Sequence, residues 1–191
     1  MEEERIIRCS WAKEGPLGEY HDSEWGVPLF EENKLFELLV LEGCQAGLTW
    51  LTILKRRENY RKAYLGFDPA LVAAFGDKEE SRLLLDPGII RNRAKIRASI
   101  ANARALLELH ERGETLSGLL WSFVGGRQLQ PDLDSTRGWP TATPVSQEMS
   151  ARLKKLGFSF VGPTICYALM QWAGLTNDHH LGCFRHAQLK A

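Results

Sequence analysis

LGFSFVGPTICYALMQWAGL, residues 156–175, is the stretch on which the fold turns. Leu156-Gly157 closes one helical run, a short apolar turn ends in Gly162, and Pro163 opens another helix, which makes a helix-hairpin-helix pattern. A glycine turn of this kind lets backbone N–H groups at a helix N-terminus meet phosphate, and Gly162 and Thr164 lie at its mouth. Seen alone, the turn also serves as plain helix punctuation. Lys154 and Lys155 precede the hairpin, and Arg91, Arg93, Lys95 and Arg97 cluster in RNRAKIR. Such basic runs either favour DNA or form ordinary solvated helix faces.

Outward from the hairpin, helical spacing recurs almost everywhere. Ile96, Ile100, Ala103, Leu107 and Leu109 mark an apolar face that stops at Gly113. Helices are predicted over residues 32–43, 48–64, 69–76, 78–85, 91–112, 114–124, 146–156 and 163–173. Alternating strand patterns are scarce, so the class is all-α. Residues 125–144, GGRQLQPDLDSTRGWPTATP, read as a long loop between lobes.

A chain of 191 residues with 44% hydrophobic content can bury one core, so residues 1–191 are expected to form a single globular unit, or two helical lobes sharing a cleft. No apolar run reaches membrane-spanning length, and MEEERIIRCS opens with acids where a secretory signal carries bases. A soluble cytoplasmic protein with no membrane partner is expected. The 24 basic and 24 acidic side chains cancel, so attraction to nucleic acid must come from local patches. Four cysteines are too few for a disulfide-stapled scaffold of this size. Cys44 and Cys166 sit among apolar neighbours and read as core thiols.

The other two cysteines stand near the chain ends, each with a histidine. In NDHHLGC three residues separate His179 from Cys183, and in the N-terminal segment eleven separate Cys9 from His21. Structural zinc takes four ligands, commonly Cys and His, so the two pairs together complete a set. By spacing alone His180 competes with His179. A closed set has no open position for water, so its metal would tie the ends together and do no chemistry.

A second constellation lies in LLVLEGCQAGLTW. Glu42 follows Leu38 by four residues and Leu39 by three, which puts a carboxylate on the apolar face of a helix. A carboxylate there must be paired with a cation, satisfied by donors, or waiting for a ligand. Trp50 follows past the break at Ala46-Gly47, and Trp11, Tyr20 and Trp25 flank the N-terminal metal candidates. Aromatic faces around one carboxylate suit a flat, electron-poor or cationic ring, although most tryptophans are simply core.

Taken together, RCSW, YHDSEWGVP, LFELLVLEGCQAGLTW, LKRRENYR, FDP, GIIRNRAKI, WSFV, GFSFVGPTICYALMQ and NDHHLGC resemble, in order, the DNA-3-methyladenine glycosylase I family of helix-hairpin-helix glycosylases. The resemblance runs from Arg8 to about Cys183. It implies one structural Zn2+ per chain on Cys9, His21, His179 and Cys183, with His179 preferred over His180. It also implies a base pocket formed by Glu42, Tyr20, Trp50 and Trp11, with Glu42 the catalytic candidate. Leu48, beside Gly47, becomes the candidate for the apolar wedge that fills the gap left by an extracted nucleotide. One departure stands out. The family carries a second tyrosine between the Pro-Leu and Tyr-His pairs, whereas this chain reads Pro16-Leu17-Gly18-Glu19-Tyr20 and is one residue shorter. That pocket wall, and selectivity among alkylated bases, is expected to differ.

The implied activity is hydrolysis of the N-glycosidic bond of 3-methyladenine in alkylated double-stranded DNA by a monomer, releasing the free base. Bifunctional relatives place a lysine nucleophile just after the hairpin. This chain has GPTIC there, so no lyase activity is expected. Asp178 adjoins a metal-ligand candidate and reads as structural. The competing class is a zinc-stapled helical module that binds DNA or a methylated ligand without breaking a bond. Zinc-dependent hydrolysis would require an open coordination position.

Overall fold

The structure, a computed structural model, describes residues 6–133 and 138–190. Among these residues it is helical, without a strand. Its helices are α1 (Pro16–Ser23), α2 (Glu32–Gln45), α3 (Trp50–Leu54), α4 (Arg57–Ala63), α5 (Pro69–Ala73), α6 (Asp77–Leu85), α7 (Arg93–Glu111), α8 (Leu116–Ser122), α9 (Pro144–Lys155), α10 (Pro163–Trp172) and α11 (Phe184–Leu189). A 3-10 turn at Leu65–Phe67 joins α4 to α5.

Local chemistry starts most of these helices where the sequence marks them. Asp68 accepts from Ala70 and Leu71 ahead of Pro69, and Asn92 accepts from the Lys95 N–H. Thr143 and Ser146 cap each other's backbone before Pro144. Gly113, at φ +76°, ends α7 as expected. The buried face of α7 includes Ile96, Ile100, Ala103, Leu106 and Leu109, while Leu107 is only half-buried.

Two expectations about elements are corrected. The run predicted over 48–64 is two helices, because the chain tightens at Lys55-Arg56, where Arg56 N–H bonds Ile53 O, and Arg56 becomes the cap of α4. Helix α1 was not expected at all. Its sequence PLGEYHDS lacks apolar periodicity, and Gly18 is buried where a Cβ would lie 2.7 Å from Lys13 O.

Helix α2 is the axis of the fold. Ten consecutive residues, Leu35 through Cys44, are buried, and α2 packs on α3, α7, α8 and α10. A helix apolar nearly all round must be surrounded. The α9–α10 hairpin packs against it. Gly157 (φ +89°) and Phe160 (φ +55°) take the left-handed conformations of its turn, and Gly162, at φ −64°, caps α10 in ordinary extended backbone. Asn102 of α7 holds this turn by accepting from Ser159 N–H at 2.7 Å and donating to Ser159 O at 3.1 Å. Cys44 and Cys166 are core thiols as expected, with burial pushing them up to about 11 and about 12.

The two chain ends meet. Leu29 N–H bonds Ala173 O and Gly26 N–H bonds Gln171 O, so residues 26–29 lie along the end of α10. Gly174 permits this approach, since a Cβ there would lie 2.4 Å from Pro28 N. Phe184 N–H bonds Ile7 O. The segment expected to be a plain inter-element loop is also tied in, because Leu129 forms an isolated parallel bridge with Thr176. Residues 134–137 of that predicted loop lie outside the described residues.

Candidate active site and metal centre

Cys9, His21, His179 and Cys183 converge at the junction of the chain ends. All four are buried, and their donor atoms lie within 4.8 Å of one another. His179 Nδ1 is 3.1 Å from His21 Nε2 and 3.5 Å from Cys183 Sγ, and Cys9 Sγ is 3.8 Å from His179 Nδ1. Metal–ligand bonds of about 2.0–2.3 Å arranged tetrahedrally separate neighbouring donors by about 3.3–3.8 Å, close to the 3.1, 3.5 and 3.8 Å found here. The outer nitrogens are already engaged. His21 Nδ1 pairs with Asp22 Oδ1 at 2.8 Å and His179 Nε2 with Trp25 O at 3.0 Å, which turns Nε2 of the first and Nδ1 of the second inward. Asp22 is itself held by Arg8 through Nε and Nη2. Hydrogen bonding from Cys9, with His179 and His21, holds the Cys183 thiol well below its ordinary value, while the same contact and burial raise Cys9, so one of the two thiols is poised as a thiolate. This buried group could hold a metal ion. His180 is not in it; its ring stacks on Trp139 at 4.1 Å.

A cleft of about 270 Å³ opens beside the metal ligands. Trp11, Tyr20, Glu42 and Trp50, expected together from the sequence, all line it. Leu17, next to the missing tyrosine, forms part of its wall. Trp25, named with Trp11 and Tyr20 in the aromatic company of Glu42, lines it too, whereas Gln45, Trp139 and Gln171 are wall residues that the sequence does not mark. The aromatic rings interlock. Trp11 lies 4.9 Å from Trp25, and Tyr20 lies 5.6 Å from Trp50, with Trp172 behind both. The Cys2His2 group borders this wall directly, since Trp25 lies 4.6 Å from His179 and Trp11 lies 5.3 Å from His21.

Glu42 is 4% exposed, and its carboxylate has no hydrogen-bond or ion-pair partner among the described residues. Burial alone pushes it up to about 8. Tyr20 is raised as well, first by burial and then by Glu42. The Trp50 Nε1–H is another buried polar group without a partner. Of the alternatives open for Glu42, a salt bridge and internal donors are therefore absent among the described residues. Asp178 is the opposite case. It accepts from Tyr167 Oη, from Gln171 Nε2 at 2.7 Å and from Thr176 Oγ1 at 2.5 Å, and its backbone carbonyl accepts from Trp139 Nε1. Its carboxylate is thus satisfied by protein donors, unlike that of Glu42.

The mouth of the cleft adjoins the turn between α2 and α3. Gly47, at φ +78°, and Leu48, 37% exposed, form its tip. Lys95 is buried and donates through Nζ to Cys44 O at 2.8 Å and Ala46 O at 2.7 Å, a cation on the last carbonyls of α2. The basic run RNRAKIR therefore presents much less charge than its sequence suggests. Besides Lys95, Arg93 and Arg97 both pair with Glu80. Lys154, Lys155 and Thr164 stay exposed beside the hairpin. A second cleft, of about 280 Å³, lies on the far side of Trp172. Its arginines are already matched, Arg57 by Glu24 and Arg61 by Glu37.

Together these residues form an all-α protein with a buried Cys2His2 group that could hold a metal ion and an aromatic cleft around an unpartnered carboxylate. The chain belongs to the methyladenine glycosylase family, whose family model matches residues 11–186. It is 50% identical over 177 residues to DNA-3-methyladenine glycosylase 1 of Escherichia coli strain K12, covering 92% of this chain and 95% of that one. A crystal structure of 3-methyladenine DNA glycosylase I superposes with a TM-score of 0.91 at 50% identity, over 93% of this chain and 98% of the other. A structure from Staphylococcus aureus, solved for the basis of 3-methyladenine recognition by the same type of enzyme, superposes with a TM-score of 0.89 at 34% identity, over 93% and 95% of the two chains.

Proposed function

We propose that the chain is a base-excision glycosylase that hydrolyses the N-glycosidic bond of 3-methyladenine in alkylated DNA, with the aromatic cleft as its base pocket and Glu42 as the group that recognises the base. The observation that carries the assignment of the site is the Glu42 carboxylate, buried in an aromatic cleft without a protein partner. The S. aureus relative, whose structure was solved for 3-methyladenine recognition, supports the choice of ligand.

The chemistry asks little of the protein. A purine methylated at N3 is cationic in DNA and leaves as a neutral base, so the bond to deoxyribose is already weak. The protein must draw the nucleotide out of the duplex, at a cost of a few kcal/mol that damage reduces, and hold it while water attacks C1′. Tyr20, Trp50 and Trp11 supply π-faces that favour a cationic ring. Glu42 accepts hydrogen bonds from the adenine edge, and a cation in the cleft stabilises its ionised form. Leu48 at the exposed tip fills the gap in the stack, while Gly47 allows the turn. Gly162 and Thr164 lie where the hairpin would meet the DNA backbone.

The Cys9, His21, His179 and Cys183 group fits zinc, one per chain. With four protein donors it has no open position, which argues against zinc-dependent hydrolysis. Its part is to join the chain ends and brace Trp11 and Trp25. Double-stranded DNA as substrate, a monomeric state, a single domain spanning residues 1–191 and a cytoplasmic location complete the proposal. No helix among the described residues is long and apolar enough to cross a membrane.

Chromatography of the bases freed from methylated DNA tests the reading. Free 3-methyladenine should accumulate in proportion to enzyme, without strand cleavage. Binding to the same DNA with no base released would identify a binding module instead.

A further inference from the structure

A cleft separate from the base pocket, about 360 Å³ in volume, is lined by Thr52, Lys55, Arg56, Asn59, Pro87 and Gly88. Its charge is unusual in this molecule. Several arginines are neutralised, Arg8 by Asp22, Arg57 by Glu24, and Arg93 and Arg97 by Glu80, so few of them sit unpaired in a cleft. Lys55 and Arg56 have no carboxylate partner among the described residues. Arg56 spends one nitrogen on the Pro87 carbonyl at 2.8 Å, which fixes the guanidinium against the cleft wall and leaves its other N–H groups for a ligand. The cleft also offers the Thr52 hydroxyl, hydrogen-bonded to Thr49 at 2.9 Å, and the Asn59 amide. Its donors are thus two fixed-charge cations, a hydroxyl and an amide, a set suited to phosphodiester oxygens.

Its position completes the argument. Leu48 lies two residues before α3, and Thr52 and Lys55 fall three residues apart along that helix and its C-cap, so the cleft begins within one helical turn of Leu48. Lys95 fastens the start of α7 to Ala46 O of the same turn, which brings the 87–92 segment beside it. In a molecule of zero formal charge, sequence-independent attraction to DNA must come from local patches of this kind.

We propose that the Thr52–Lys55–Arg56–Asn59 cleft is a DNA phosphate subsite, which holds the sugar–phosphate backbone flanking the nucleotide that Leu48 displaces. The proposal rests on the glycosylase reading, because it takes DNA as the partner.

The test is the salt dependence of binding to duplex DNA carrying a tetrahydrofuran abasic-site analogue. Each phosphate contact removed should lower the slope of log K against log salt by about 1. Lys55→Ala and Arg56→Gln should each do so, and the double variant should lose about 2, with affinity for free 3-methyladenine unchanged. Lys78→Ala, on α6, which lines neither the base cleft nor this one, should leave the slope at the wild-type value. A wild-type slope in the double variant would overturn the subsite, as would an equal fall in Lys78→Ala or a matching loss of free-base binding. Failure of the glycosylase reading shows separately, as no base released by the wild-type protein from methylated DNA.

Discussion

At the scale of the residue, Glu42 is held at a cost in stability. Burial raises its pKa from 4.5 to about 8, so the folded protein retains a proton that the unfolded chain releases. Stability from this group is full below pH 4.5, falls as pH rises toward 8, and is then constant. A shift of that size corresponds to about 3 kcal/mol by pH 7. Glu42→Gln should therefore melt higher than wild type at pH 7 to 8, with the gap closing by about pH 4. Melting curves across that range check it, and a gap independent of pH would mean that something satisfies the carboxylate. The burial of Glu42 was legible because helical spacing alone placed it among Leu38 and Leu39. Trp139 was not legible. It reaches the cleft from a Gly- and Pro-rich segment without periodicity, held there by Asp178 O and the His180 ring.

At the scale of the element, the turn between α2 and α3 joins recognition to DNA opening. Leu48→Ala should weaken binding to abasic-site DNA while leaving the fold and free 3-methyladenine binding nearly unchanged. Equal loss of both binding events would mean that Leu48 shapes the base pocket and does not act as the wedge. Lys95→Met keeps most of the volume but strips two carbonyls of their charged donor. It should lower stability by roughly 1.5–3 kcal/mol, measurable by urea denaturation, and an unchanged midpoint would show the clamp to be idle. From sequence, Lys95 was one of four bases in a run. Its neighbours on either side turn out to face Glu80, and only the packing of α7 against α2 reveals that it points inward. The break at Ala46-Gly47 was legible from its glycine. The second break, at Lys55-Arg56, was not, because no glycine or proline marks it.

At the scale of the whole molecule, four buried donors from the two ends of the chain meet, the outermost being Cys9 and Cys183. Spacing could suggest each pair but not their meeting, and it left His179 and His180 level. The family resemblance separated them, and in the structure the Trp139 ring takes His180. Purified protein should contain one zinc per chain. Cys183→Ser should lose it and melt lower, whereas stoichiometric metal and an unchanged melting temperature in that variant would contradict the closure. The all-α class, the hairpin and the four residues of the Cys2His2 group were thus readable from local pattern and resemblance, while the cleft depends on contacts between α1, α2, α3 and α10 that no single segment encodes. The most direct measurement for the whole account is made on Glu42→Gln, through its affinity for free 3-methyladenine and its release of that base from methylated DNA. The account predicts binding weaker by roughly 1–3 kcal/mol, with excision falling alongside it and DNA backbone affinity retained. A Glu42→Gln protein that binds and releases 3-methyladenine as the wild type does would contradict it.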